Sequence, residues 1–323
     1  IPGTRYDYRV GEENHWSDWF QYKTAENTDK PFSFLFFGDS QVVTSSLWSR
    51  IVRLAYSQHP DAAFMLFAGD LVDGGDGNTL QDEEWGNWHK GGAFINTMIP
   101  TLPTPGNHEY LYPGDRSRRE LNRNWRPGFT LPENGPPGLE ETAYYIDYQG
   151  VRIISLNSYE IGANEKSGVK QAEWLEGLLQ NNTCRWTVVM FHHPLFSTSA
   201  KRDNKKVRTL LKPLFDKYKV DLVLSGHDHT YARGHVHTPE GSLQGNRIGT
   251  IYVVSVSGAK QYEQDAAPWW DTGTSHTQFY QHISVSGKKL SYEAVDASGR
   301  IFDRFFLVKK SDGSKCLKES LPR

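Results

Sequence analysis

The chain has little cysteine, no long apolar run and no surplus of either charge, and each shortage narrows what it can be. Only Cys184 and Cys316 occur among 323 residues, which allows one disulfide or two free thiols and does not choose between them. No apolar run approaches the ~20 residues of a membrane-spanning helix. Mean hydropathy is −0.62, so no membrane partner is expected. Lys and Arg number 36 against 38 Asp and Glu, a net charge of −2. A nucleic-acid partner, whose phosphates call for a basic face, is therefore not expected either. The first residues do not read as a signal peptide, which fits a cytosolic protein or a processed one. Internal repeats and low-complexity tracts are also missing.

What is there is an alternation of strand and helix patterns. The chain is long enough to bury about three quarters of its unfolded surface, so one large domain with a small appendage is expected. Residues 4–10 and 16–24 alternate apolar and polar side chains around a turn at 11–15, a β-hairpin pattern. A lone hairpin is marginal. It either packs on the main body or is the remnant of a β-sandwich, and the remnant reading is preferred, with 1–28 as this unit. The main body then spans 31–310, followed by a tail over 311–323. Within the body, strands are expected over 32–37, 62–68, 151–157, 186–191 and 220–225, and helices over 45–58, 83–98, 169–179 and 204–218. Strands dominate after 249, over 250–256, 281–286, 290–295 and 301–308. Alternating β and α suggests an α/β sandwich. Two long loops, 110–141 and 258–278, are expected to be functional or mobile.

Five short patches carry the chemistry: Gly38-Asp39-Ser40-Gln41, Gly69-Asp70-Leu71-Val72-Asp73, Gly106-Asn107-His108-Glu109, His192-His193-Pro194 and Gly226-His227-Asp228-His229. Four follow an apolar run that reads as a strand; the third follows a Pro/Thr loop. In α/β proteins ligands bind beyond the carboxyl ends of strands. Carboxylate, amide oxygen and imidazole together are the donors of a hard or borderline divalent metal. Asp70, with two oxygens, would bridge two ions. Asp39 and His229 would complete one, and Asn107, His192 and His227 the other. Any single patch has a bland reading as a turn, cap or surface histidine, and Gly234-His235-Val236-His237 shows how easily His-X-His recurs. All five in this order, mostly at strand ends, are poorly explained by coincidence.

The patches resemble the calcineurin-like metallophosphoesterase superfamily over about residues 32–309. Within it, the chain is most similar to purple acid phosphatases and their bacterial relatives. Phe191-His192-His193-Pro194-Leu195-Phe196, Gly226-His227-Asp228-His229-Thr230-Tyr231-Ala232-Arg233 and the N-terminal hairpin, similar to the end of a fibronectin type III-like domain, carry that closer likeness. The resemblance implies a four-layer αββα sandwich, a pair of Fe, Mn or Zn ions, and small phosphate esters as substrates. It also implies a secreted or periplasmic location, and agrees with the ligand assignment above.

Two positions depart from the purple pattern. Asp73 stands where those enzymes have a tyrosine ligand, and there it resembles the Ser/Thr protein phosphatases. That likeness implies an Asp73–His108 dyad, with His108 holding the phosphoryl group and protonating the leaving oxygen; the plainer reading is that Asp73 caps a turn. Gln41 is either a ligand of the first metal or stands one step behind it. Around the site, His193 either faces substrate or packs. Lys201 and Arg202 either bind phosphate or belong to a solvated loop. Arg116, Arg118, Arg119, Arg123 and Arg126 are expected at the surface, and Trp269 and Trp270 to pack. The expected activity is attack of a metal-bound hydroxide on a phosphomonoester, with a phosphodiester as the alternative. A module that keeps metals only for structure is the rival from another class.

Overall fold

The computed structural model of the chain describes all residues except 75–80, 112–118, 236–247, 312 and 320–323. Two seven-stranded mixed sheets form its centre. In the first, Phe32–Phe37, Met65–Phe67 and Thr101–Pro103 run parallel, and Phe279–Ser286, Lys289–Asp296, Ile301–Lys309 and Lys315–Glu319 extend it antiparallel on the other side. In the second, Val151–Ser155, Trp186–Met190, Leu222–Ser225 and Ile251–Val254 run parallel. Tyr144–Tyr148 closes one side antiparallel, and Tyr231–Gly234 with Thr272–Thr274 closes the other.

The period-two alternation of the second sheet shows how it is layered. Val188, Met190, Leu222, Leu224, Ile251 and Val253 join a core with Phe34, Phe36, Met65 and Tyr280 of the first sheet. Their neighbours Val189, Val223 and Tyr252 point the other way, into a core with Leu175, Leu179, Val207, Leu211 and Phe215. Those residues belong to the helices Glu165–Gln180 and Lys205–Tyr218. Trp48, Ile51, Val52, Trp85 and Trp88, from Ser49–Gln58, the turn before it and Gln81–Met98, cover the outer face of the first sheet. The order is helices, sheet, sheet, helices: the αββα sandwich. Strands buried on both faces read as unbroken apolar runs, which is why they were legible.

Several elements differ from the sequence expectation. Thr101–Pro103 is a strand, not a loop; it lies at the sheet edge, where proline is tolerated. Ser45 caps nothing: a π-turn at Thr44–Trp48 precedes the α-helix, behind left-handed Val42 and Val43. Residues 315–319, expected in a tail, form an edge strand whose Lys315 ammonium is buried against Asp221 at 3.2 Å and the Val220 carbonyl at 2.7 Å. The hairpin Arg5–Tyr8 with Phe20–Lys23 is present. It lies on the main body, with the Tyr8 hydroxyl donating to the Thr97 carbonyl and Glu26 N–H to the Gln149 amide at 3.0 Å. Cys184 and Cys316 are both free thiols.

Candidate metal centre

All five patches sit within a few residues of the carboxyl ends of parallel strands. The two sheets meet there, because Asp39 bridges to Val256 across them. Such closeness depends on glycine. A Cβ on Gly69, whose φ is +84°, would stand 2.3 Å from the Gly106 amide nitrogen, and one on Gly226 would stand 2.1 Å from Asp39 Oδ1. Three of the expected ligands themselves hold left-handed backbone: Asp70 at φ 50°, His227 at 71° and His229 at 51°. That conformation is uncommon for a non-glycine residue and collects at functional sites. Sequence gave no sign of it.

The side chains converge in two groups. Asp39, Asp70 and His229 each offer a donor atom within 4.8 Å of the others, and so do His192, His193 and His227. Asp70 touches both: its Oδ2 is 3.1 Å from His192 Nε2, and it belongs to the first group. Asp39 Oδ2 is 3.1 Å from His229 Nε2. Asn107 Oδ1 reaches the second group, 3.1 Å from His192 Nε2. His192 Nδ1 donates to the Ala68 carbonyl at 2.8 Å and His229 Nδ1 to the Lys260 carbonyl at 2.9 Å. Each contact fixes the tautomer that leaves Nε2 as a lone pair facing inward.

The donor set fits cations. His192 Nε2 has Asp70 Oδ2, Asn107 Oδ1 and His227 Nδ1 all within 3.1 Å, and a single proton satisfies at most one of these lone pairs. Asp39 Oδ2 and both polar atoms of the Gln41 amide are buried with no hydrogen-bond partner among the described residues. A natural complement to those crowded lone pairs, to Asp39 Oδ2 and to the Gln41 carbonyl oxygen Oε1 is a positive ion, whereas the Gln41 NH₂ is a donor that an ion does not satisfy.

Electrostatics follow the geometry. Burial alone would raise Asp70, but the imidazoles of His192, His108 and His227 overcome it and hold the carboxylate well below its usual range. Burial works against charge on His192, yet Asp70 and Asp39 lift its imidazole to about 9, so that without a cation Nε2 carries a proton that a bound cation would displace. Burial, then His193 and His192, holds His227 well below its ordinary value. His193 is pushed down to about 3 by burial and by His192.

Glu109 figures in the sequence pattern only as the end of a motif. It is fully buried and accepts three main-chain N–H groups: Asp70 at 2.8 Å, Leu71 at 2.8 Å and Gly106 at 2.7 Å. Burial and the nearby Asp70 raise its carboxyl to about 7. It staples the second patch to the third. Asp228 does the same for the fifth, accepting from Ser197 Oγ at 2.8 Å and Thr198 N–H at 2.7 Å. The usable signal in both was an acid beside expected ligands with no ligand role of its own.

Other expectations need revision. His108 N–H donates to Asp70 Oδ1 at 2.9 Å, and His108 Nε2 lies 3.8 Å from Asp70 Oδ2. His108 Nδ1 meets Asp73, but through the main-chain carbonyl. The Asp73 carboxylate, expected on the imidazole, pairs instead with Lys260 Nζ at 3.5 Å. Arg202, expected to meet phosphate, braces the fifth patch, with Nη1 on the His227 carbonyl and 3.0 Å from Asp228 Oδ1. Lys201 is exposed and enters neither group. His193 packs beside His227, with ring centroids 4.4 Å apart, and its Nδ1 meets Ser158 Oγ at 3.0 Å. Arg119 is half-buried and donates to the Asn107 carbonyl at 3.2 Å. Trp269 packs on Phe196 and donates to the Ser197 carbonyl at 3.0 Å. Arg116, Arg118 and His237 lie outside the described residues.

Comparison with known proteins gives a consistent picture. A calcineurin-like phosphoesterase family model matches residues 32–231. An uncharacterized protein of Mycobacterium tuberculosis is 28% identical over 267 residues, covering 72% of this chain and 49% of its own length. The Fe(3+)-Zn(2+) purple acid phosphatase 12 of Arabidopsis thaliana is 27% identical over 241 residues, covering 71% and 49%. This chain thus spans about half the length of these two relatives. Among solved structures, the purple acid phosphatase PPD1 of yellow lupin superposes with a TM-score of 0.77 at 20% identity, covering 97% of this chain and 61% of that one. PhoD follows at 0.68 and 13% identity, covering 100% and 78%. At those identities the likeness concerns the fold.

Proposed function

We propose, because the chain belongs to the calcineurin-like phosphoesterase family, that it is a metal-dependent phosphoric ester hydrolase acting on phosphate monoesters through a two-cation centre. The observation that carries this reading is the position of Asp70, whose carboxylate belongs to the Asp39–His229 group and also touches His192 of the second. Asp39, Asp70, His229 and the unpaired Gln41 amide would hold one cation, and Asp70, Asn107, His192 and His227 the other. Two cations held by these residues would supply charge neutralisation at the phosphoryl group and would acidify a water.

The chain's own residues do the rest. The carbonyls of Ala68 and Lys260 hold the His192 and His229 rings in place. His108 is anchored on one edge by the Asp73 carbonyl and leaves Nε2 beside Asp70. From there it would donate a proton to the leaving oxygen. The monoester preference is supported by relatives named as acid phosphatases of plants and mouse. Export from the cytosol, which the resemblance implies, belongs to the same proposal; among the described residues no helix is long and apolar enough to cross a membrane.

The test is hydrolysis of a chromogenic phosphomonoester and its matched diester, with and without chelator. Turnover of the monoester that a chelator abolishes and added Mn²⁺ or Zn²⁺ restores is expected. Faster turnover of the diester would move the reading to a phosphodiesterase, and turnover of neither would remove the enzyme reading.

A further inference from the structure

Once Arg202 is seen to be committed to Asp228 and the His227 carbonyl, the site lacks its expected cation for a phosphoryl oxygen. Lys260 stands in a suitable place. Its main-chain carbonyl receives His229 Nδ1 at 2.9 Å, so its backbone is tied to one candidate ligand. Its ammonium reaches Asp73 at 3.5 Å, and the carbonyl of Asp73 is tied to His108. The side chain therefore runs from the His229 loop to the His108 loop. The segment beneath it is fastened at several points: Gly258 N–H donates to the Asp39 carbonyl at 2.6 Å and Tyr262 N–H to the His229 carbonyl at 3.2 Å, and the Tyr262 ring lies 4.6 Å from the His229 ring.

The pair with Asp73 is loose in a useful way. At 3.5 Å it is longer than the ~2.7–2.9 Å of a charge-assisted hydrogen bond. Both side chains are partly open to solvent, at 31% and 50% exposure. An exposed ion pair of that kind contributes little, so Asp73 can hold the ammonium beside the His108 loop and still release it to a more highly charged partner. Among the described residues the Lys260 ammonium has no other ion pair.

We propose that Lys260 is the residue that receives a non-bridging phosphoryl oxygen of the substrate, with Asp73 as the residue that positions it. This rests on the phosphatase reading above and adds the group that recognises the phosphate dianion. The Asp73 carboxylate thereby gains a function that the His108 contact does not give it.

The test is calorimetric titration of the metal-loaded full chain with inorganic phosphate, beside metal content by elemental analysis. Lys260→Met weakens phosphate about tenfold to hundredfold, the range of a charge-assisted hydrogen bond, with metal content unchanged. Lys260→Arg recovers most of the loss. In an Asp73→Asn background the Lys260→Met loss shrinks, because an unheld ammonium contributes less. Wild-type phosphate affinity in Lys260→Met, with metals in place, overturns the assignment while leaving the hydrolase reading intact. A wild type that binds phosphate through Lys260 but turns over no ester overturns the hydrolase reading and keeps the assignment. A metal-loaded wild type with no measurable phosphate affinity overturns the Lys260 assignment.

Discussion

Asp73 occupies the position at which the resemblance places a tyrosine ligand, and the structure turns its carboxylate toward Lys260 and its carbonyl toward His108. No tyrosinate is therefore available there to colour a ferric ion, and the iron-loaded protein is expected to lack a tyrosinate band in its visible spectrum; such a band would contradict the ligand set. In the proposed mechanism His108 acts on substrate and does not hold a cation. His108→Asn should lower kcat about 10²–10⁴-fold with metal content unchanged, as kinetics beside elemental analysis would show. Glu109 is a different case, since its carboxylate answers three buried N–H groups. Glu109→Gln would turn an amide NH₂ toward some of those donors. We expect a loss of about 2–4 kcal/mol in urea unfolding, together with weaker metal binding. A variant as stable as the wild type would mean that the staple is dispensable.

At the scale of elements, the centre is made by the carboxyl ends of parallel strands from two sheets, joined where Asp39 bridges Val256. Much of this was legible. Doubly buried strands such as Phe32–Phe37 and Trp186–Met190 announce themselves as unbroken apolar runs, and a glycine with a carboxylate or imidazole after each run marks the turn. Thr101–Pro103 was missed because a three-residue edge strand ending in proline carries no period. Tyr231–Gly234 was missed because its partners, Ile251–Val254 and Thr272–Thr274, lie far along the chain and the pairing is a tertiary matter. Lys315–Glu319 folds back on the strand just before it, with Lys309 opposite Lys315, but Lys315, Lys318 and Glu319 leave it no apolar run to read. The left-handed backbone of Asp70, His227 and His229 was also hidden, since nothing in those side chains favours it. Nor does sequence say which end of Asp73 meets an imidazole. The close approach at Gly226 gives a direct check on the element-level account. A Cβ there meets Asp39 Oδ1 at 2.1 Å, so Gly226→Ala should displace Asp39 and lower metal affinity at least tenfold, with a stability loss of about 1–3 kcal/mol. Unchanged affinity in that variant would show that the strand ends are not as tightly joined as described.

For the molecule as a whole, stability should depend on pH away from the metal centre as well as through it. His59 stacks on His282 with ring centroids 3.7 Å apart. Burial, and then the neighbouring His282, lowers its imidazole to about 4, against about 6.5 in an unfolded chain. Between those values the unfolded chain binds the proton and the folded chain resists it. Stability is therefore retained above about pH 6.5 and lost as pH falls toward 4. Urea midpoints measured across that window should decline for the wild type and decline less steeply for His59→Phe; parallel slopes would exclude His59 as a source. Cation binding adds a second term, because an ion that binds only the folded chain stabilises it by mass action. Chelation should lower Tm, and Asp70→Asn should reduce the size of that drop.

The central claim is that Asp70 joins two cation sites into one hydrolytic centre. Calorimetric titration of the chelated protein with Mn²⁺, followed in parallel by turnover of a chromogenic phosphomonoester, tests it most directly. The account predicts two equivalents bound per chain, turnover that rises with occupancy of both, and loss of both the second equivalent and turnover in Asp70→Asn. A stoichiometry of one, or turnover that a chelator leaves untouched, would contradict it.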